Sequence, residues 1–202
     1  MVRFKFVTIE PYSEYVPSLL FRRRSGGIAV TCAGVLALSA CATPVHLTPG
    51  AQAPDPICAR VLQKMPREIQ GMKQIPTDAQ GTMAYGTSEA PITIRCGIAP
   101  PPPTTDRCLS VSASTSKDGE KDAIDWINPE AGSELIPPHA PDSAWTFLSY
   151  GRSPAVEVIV PAETGLEQPT AVLLAMASAL KVVEATKHCV GSTDVVGDRS
   201  GS

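Results

Sequence analysis

The sequence lacks a hydrophobic run long enough to cross a bilayer. Its N-terminal apolar stretch, Gly27 to Ala37, falls short of the ~20 residues a spanning helix needs. It also lacks a cationic excess: 17 Lys and Arg stand against 20 Asp and Glu. That balance excludes the basic footprint of a nucleic-acid binder and attachment to anionic lipid by charge. No Cys-x-x-Cys or His-x-x-x-His spacing is present, so the sequence shows no zinc half-site, and no cofactor is expected. There is no Gly-x-Ser-x-Gly either, so no nucleophile announces itself by motif.

What the sequence does have begins at Arg22-Arg23-Arg24. These three cations, the apolar Gly27 to Ala37, and then Leu38-Ser39-Ala40-Cys41 follow the order of a secretory signal. The last four residues look like a bacterial lipobox, in which Cys41 receives a diacylglycerol before cleavage in front of it. Burying each lipid CH₂ contributes roughly 0.8 kcal/mol, so a diacyl group anchors where one chain would not. Glu10 and Glu14 fit an n-region poorly. The working start therefore lies further in, or residues 1–20 are discarded with the signal. The expected organisation is a signal over 1–40, a lipidated Cys and tether over 41–56, one domain over 57–189 and a disordered tail over 190–202. The expected location is the extracytoplasmic face of the cell membrane.

From Cys41 onward the sequence carries 12 Lys and Arg against 18 Asp and Glu, a net charge of −6. Four cysteines lie inside the expected domain: Cys58, Cys96, Cys108 and Cys189. An even number in an exported domain reads as two disulfides, with three connectivities open.

The pattern supplies an order of elements. Residues 42–56 are rich in Pro, Ala and Thr, which suits an extended tether. Cys58, Val61, Leu62 and Met65 share one face of a helix, with Asp55 as its cap and Pro66 at its end. Residues 91–98 alternate, with Ile92, Ile94, Cys96 and Ile98 on one side and Thr93 and Arg95 on the other. The tetraproline 100–103 makes a stiff loop. Leu109, Val111 and Ala113 form a second alternating set, with Cys108, Ser110 and Ser112 opposite. Ile124 to Ile127 add a short strand. Residues 145–150 and 155–160 flank Gly151 to Pro154 as a hairpin. A closing helix runs from Pro169 to about Lys187. The expected fold class is α+β: a two-layer sandwich with an antiparallel sheet of about four to five strands and both helices on one face.

That arrangement bears on the cysteines. Cys58 and Cys96 both lie on apolar faces that would meet, whereas Cys108 points away. This favours Cys58–Cys96 with Cys108–Cys189; the competing arrangement is Cys96–Cys108 with Cys58–Cys189.

Several stretches together resemble a known family. They are Cys58-Ala-Arg-Val-Leu-Gln-Lys-Met-Pro66, Ile94-Arg-Cys-Gly-Ile98 with its prolines, Asp125-Trp126, and Tyr150-Gly-Arg-Ser-Pro-Ala-Val-Glu-Val158 with Pro161. The resemblance, over about residues 55–189, is to an actinobacterial family of secreted lipoproteins catalogued as domain of unknown function 3515. It implies an actinobacterial envelope. Members often carry just the helix Cys and the Arg-Cys-Gly Cys, which agrees with pairing Cys58 and Cys96. It implies no activity, substrate or catalytic residue.

The remaining chemistry-bearing residues are Ser133, Ser143, Ser149 and His139, a carboxylate run from Asp118 to Asp125, and the set Arg95, Arg152 and Glu157. The serines lack a motif, and the carboxylates read as a solvated loop. Arg95 and Glu157 alternate off the apolar faces, which places them together on the sheet face the helices leave open. The three residues form either a surface ion pair or a site for an anionic ligand or a partner.

The leading functional expectation is a non-catalytic accessory or binding module for an envelope protein, using that face and loops 100–105 and 151–154. The others are an enzyme acting on envelope glycan or peptide, and a carrier of lipid or small ligand.

Overall fold

The computed structural model describes residues 43–112 and 123–190. Cys41, its lipobox, the signal segment, Asp118 to Asp122 and the tail from residue 191 lie outside the described residues.

Asp55 starts the first helix, α1 (Pro56–Lys64), by accepting the Ile57 N–H at 2.8 Å, and Pro56 occupies the first turn, where its missing N–H costs nothing. Eight strands follow: β1 (Glu68–Ile69), β2 (Met72–Ile75), β3 (Thr82–Tyr85), β4 (Ile92–Ile98), β5 (Arg107–Val111), β6 (Ile124–Asn128), β7 (Trp145–Ser149) and β8 (Ala155–Val160). A single 3₁₀ turn at Ala162–Thr164 leads to α2 (Thr170–Leu180). The strands form one antiparallel sheet in the order β1-β2-β3-β4-β8-β7-β6-β5.

This overturns the expected sheet of four to five strands. The missing strands are β1, β2 and β3, and none of them shows alternation. Lys73 and Gln74 leave β2 mostly exposed, while all four residues of β3 are buried, so neither strand has one wet and one dry face. The turn between β1 and β2 is Gln70-Gly71, both at positive φ, the two-residue hairpin geometry without its usual Asn-Gly marker.

The elements foreseen on β4 to β8 are present, and the hairpin around 151–154 joins β7 to β8. The core lies between the sheet and the two helices, which touch each other. Val61, Ile94, Trp126, Phe147, Val158 and Met176 are buried there. The last helix ends at Leu180 rather than near Lys187. Beyond it the chain extends back along the hairpin loop, where Thr186 N–H donates to Gly151 O at 2.7 Å and Arg152 bridges Ala185. Tertiary hydrogen bonds thus replace the helical ones.

The stretch read as a free tether is docked on the domain. Val45 N–H donates to Pro76 O at 2.8 Å, Asp78 N–H to Val45 O at 3.2 Å, and Gln52 N–H to Gly97 O at 2.8 Å. Ala53 is buried. Proline and alanine left the backbone free to extend; Gly97 and the 76–78 loop supplied its hydrogen-bond partners.

Tyr85 gives the core a pH signature. Its hydroxyl donates to Pro66 O at 2.6 Å, and burial pushes its ionisation up to about 12. The unfolded phenol ionises near ~10, so the folded state holds the proton more tightly. Stability is therefore complete below about pH 10 and declines as pH rises from about 10 to about 12. Tyr85→Phe will flatten that alkaline limb and cost on the order of 1 kcal/mol at neutral pH through the lost hydrogen bond. Urea midpoints measured across the alkaline range check both effects.

Candidate functional site

On β4, residues 92, 94 and 96 face the helices, so Thr93 and Arg95 face the other way. On β8, Glu157 and Ile159 do the same, and Arg95 stands directly opposite Glu157 across the ladder. Arg95 Nε lies 3.0 Å from Glu157 Oε1. That N–H is off line for a hydrogen bond, so charge attraction rather than a directed bond holds the pair. His139 Nε2 reaches the same oxygen at 2.9 Å. Glu157 is 3 % exposed and Arg95 12 %. A carboxylate this buried costs several kcal/mol in desolvation, and the two partners offset it.

These residues stand in a groove of about 450 Å³ on the open face of the sheet. Thr93, Arg95 and Ile159 line its floor. One wall is the docked strap from Val45 to Thr48; His139 and Pro141 belong to the opposite loop. His46 pairs with Asp78, whose other side-chain oxygen accepts the Leu47 N–H at 3.0 Å. Glu89 and Glu163 also line the groove. Glu89 titrates below the usual carboxylate range because its own backbone N–H, Thr87 and Ser88 hydrogen-bond to it.

Arg152 does not join Arg95 and Glu157. It is 7 % exposed and donates to the carbonyls of Val183, Leu180 and Ala123, which fixes the end of α2. Burial pushes its ionisation down, and the Asp125 charge opposes that shift. Gly151 and Pro154 are buried beside it, which leaves Ser153 as the exposed residue of that loop. The 151–154 loop is therefore a structural clasp, whereas 102–105 is exposed.

The cysteines pair as Cys58–Cys96 and Cys108–Cys189, with Cα separations of 5.5 and 5.8 Å. The first ties α1 to β4. The second ties the extended C-terminal strap to β5 on the open side. Asp125 organises the second: it accepts from Ser110 Oγ, lies 3.2 Å from His188 Nδ1 and accepts the Cys189 N–H at 2.9 Å. Ser110, Asp125 and His188 have the residue types of a catalytic triad but not its order. A triad needs the imidazole between hydroxyl and carboxylate, and here the carboxylate stands in the middle. Two of the three serines weighed from sequence are committed elsewhere. Ser149 Oγ accepts the Val156 N–H at 2.8 Å, and Ser133 Oγ donates to Asp106 at 2.7 Å. That bond and the Glu130 N–H lower the Asp106 ionisation.

Among the described residues no group of three or more His, Cys, Asp or Glu is placed to hold a metal, and no helix is long and apolar enough to cross a membrane. Residues 27–187 of the 202 match the family described as protein of unknown function DUF3515. The chain belongs to that family. No curated protein and no solved structure matches it. In this DUF3515 member, sequence reasoning found the Arg95–Glu157 pair through alternation alone. It weighed His139 only as a triad member, because nothing in a Pro-flanked loop shows that the loop folds back over β8. His46, Glu89 and Glu163 carried no signal for the same reason.

Proposed function

We propose that this protein is a lipid-anchored, non-catalytic binding module on the extracytoplasmic face of an actinobacterial cell membrane. Its working surface is the groove that contains Arg95, Glu157 and His139, and its occupant belongs to the envelope. The ordered basic, apolar and Leu-Ser-Ala-Cys segments support the anchor. The two disulfides support an oxidising compartment. The resemblance to actinobacterial lipoproteins supports the envelope.

One observation carries the reading. The strap that wall-papers the groove begins four residues after Cys41, so Val45 lies at most about 14 Å of chain from the anchor. A lipid on Cys41 would therefore be tethered within that length of chain from the groove wall. The groove also favours binding over catalysis, because it presents an arginine and a histidine already engaged by a buried carboxylate and, among the described residues that line it, no hydroxyl or thiol hydrogen-bonded to a base.

Metabolic labelling with an alkyne fatty acid tests the anchor. The wild-type protein will take up label and sediment with membranes; Cys41→Ser will be unlabelled and will leave the membrane fraction. A wild-type protein that takes up no label overturns the reading.

A further inference from the structure

The groove holds its arginine and its exposed carboxylates at different places along its length. Arg95 and His139 occupy one end. Toward the other end β4 runs back through Thr93 to Pro91, and β8 runs forward through Ile159 to Pro161, with Thr93 opposite Ile159. Glu89 and Glu163 lie just past those prolines; both are exposed and both line the groove. Arg95 to Pro91 is four residues of extended chain, about 13 Å at the strand rise. The two exposed carboxylates follow on from the far end of that span, and the floor between is uncharged.

The arginine has capacity to spare. Its Nε faces Glu157, and among the described residues the guanidinium donates no hydrogen bond. A guanidinium so placed is built to take a pair of oxygens from a carboxylate or phosphate. A lone phosphate would satisfy it but would sit in the field of Glu89 and Glu163 and leave the far end empty. A phosphoethanolamine head carries both charges, yet they are four bonds apart, roughly 5 Å, well short of the strand length from Arg95 to Pro91. An extended peptide of about four residues spans about 13 Å between its terminal carboxylate and its terminal ammonium. The groove's 450 Å³ is also within the range of small-ligand sites.

We propose that the groove binds a short peptide with both ends free, laid along β4 and β8, its carboxylate on Arg95 and its ammonium between Glu89 and Glu163. This rests on the protein being a binding module and names what the module holds.

The test uses mixed-sequence tetrapeptide pools in four forms: both ends free, N-acetylated, C-amidated, and blocked at both ends. Each is titrated into the isotopically labelled full-length protein in detergent micelles, and the amide signals of Thr93, Arg95 and Ile159 are followed. The free-ended pool will shift them. Amidation will weaken binding about tenfold and acetylation about fivefold, the size of one lost charge-assisted contact at a partly exposed site. The Glu89→Gln, Glu163→Gln double variant, altered only at exposed side chains, will erase the acetylation effect and keep the amidation effect. Arg95→Gln will erase the amidation effect. Equal binding by all four pools, no shift with any pool, or equal shifts with inorganic phosphate overturns the assignment. Failure of the anchored reading is seen separately, as absence of acylation at Cys41.

Discussion

Replacing Cys58 and Cys96 together by Ala will cost the protein about 4 kcal/mol from chain entropy, with a cavity penalty added. The bridge closes a separation of 38 residues, and both half-cystines are fully buried between α1 and β4. The Cys108–Cys189 bridge closes 81 residues, yet the logarithmic dependence on loop length makes the entropy difference under ~1 kcal/mol. Burial therefore decides between them. Cys108 and Cys189 are only half-buried and sit at the edge strand, so their loss to Ser leaves little void. Guanidinium melts of the two double variants will rank Cys58/Cys96 as the more damaging. Thiol labelling under native conditions will show a mild reductant opening Cys108–Cys189 first. The reverse order of reduction would mean that the C-terminal strap shields its bridge better than its exposure indicates.

Gly97→Ala will lower stability by about 3 kcal/mol, the sum of a positive-φ penalty and an overlap penalty. Gly97 has φ 97°, and a Cβ there would fall 2.3 Å from the backbone N of Ala53. The position lies at the irregularity between Cys96 and Ile98 on β4, where the docked strap crosses the sheet. Gly132, with φ 87° and nothing within 4 Å, is the control: its Ala variant bears the φ penalty alone, about 1–2 kcal/mol. The difference between the two melts measures the close approach. Hydrogen exchange at Gln52, whose N–H donates to Gly97, will accelerate in the first variant and not in the second.

The Gly97 prediction concerns the seating of residues 43–53 on β4, and that feature was the least legible in the sequence. Pro, Ala and Thr between Cys41 and Asp55 have the composition of a free linker, because such residues neither demand burial nor forbid it. What holds them is a glycine more than forty residues away and a loop at 76–78. The strands β1 to β3 were hidden for a related reason. Periodicity reports a strand only when polar and apolar residues alternate along it, and Thr82-Met-Ala-Tyr85 does not alternate. Arg152 was misplaced because strand alternation cannot be extended through a hairpin loop. The guanidinium goes to the carbonyls at the end of α2, which no local pattern reveals. Arg95 and Glu157 were legible because each lies on an alternating strand, and antiparallel neighbours bring their outward residues together.

The sequence by itself determined the features that depend on local chemistry. These are the Asp55-capped helix, the alternation of β4 and β8, and the hairpin between β7 and β8. Each is written in neighbouring residues, whose sterics and hydrogen-bonding capacity act over a few ångströms of chain. The tertiary structure alone decided that the sheet has eight strands, that the strap over residues 45–48 forms a groove wall, and that His139, Glu89 and Glu163 join Arg95 around one cavity. These depend on which distant backbones find each other's hydrogen-bond partners, and that selection is made by the packing of the whole core.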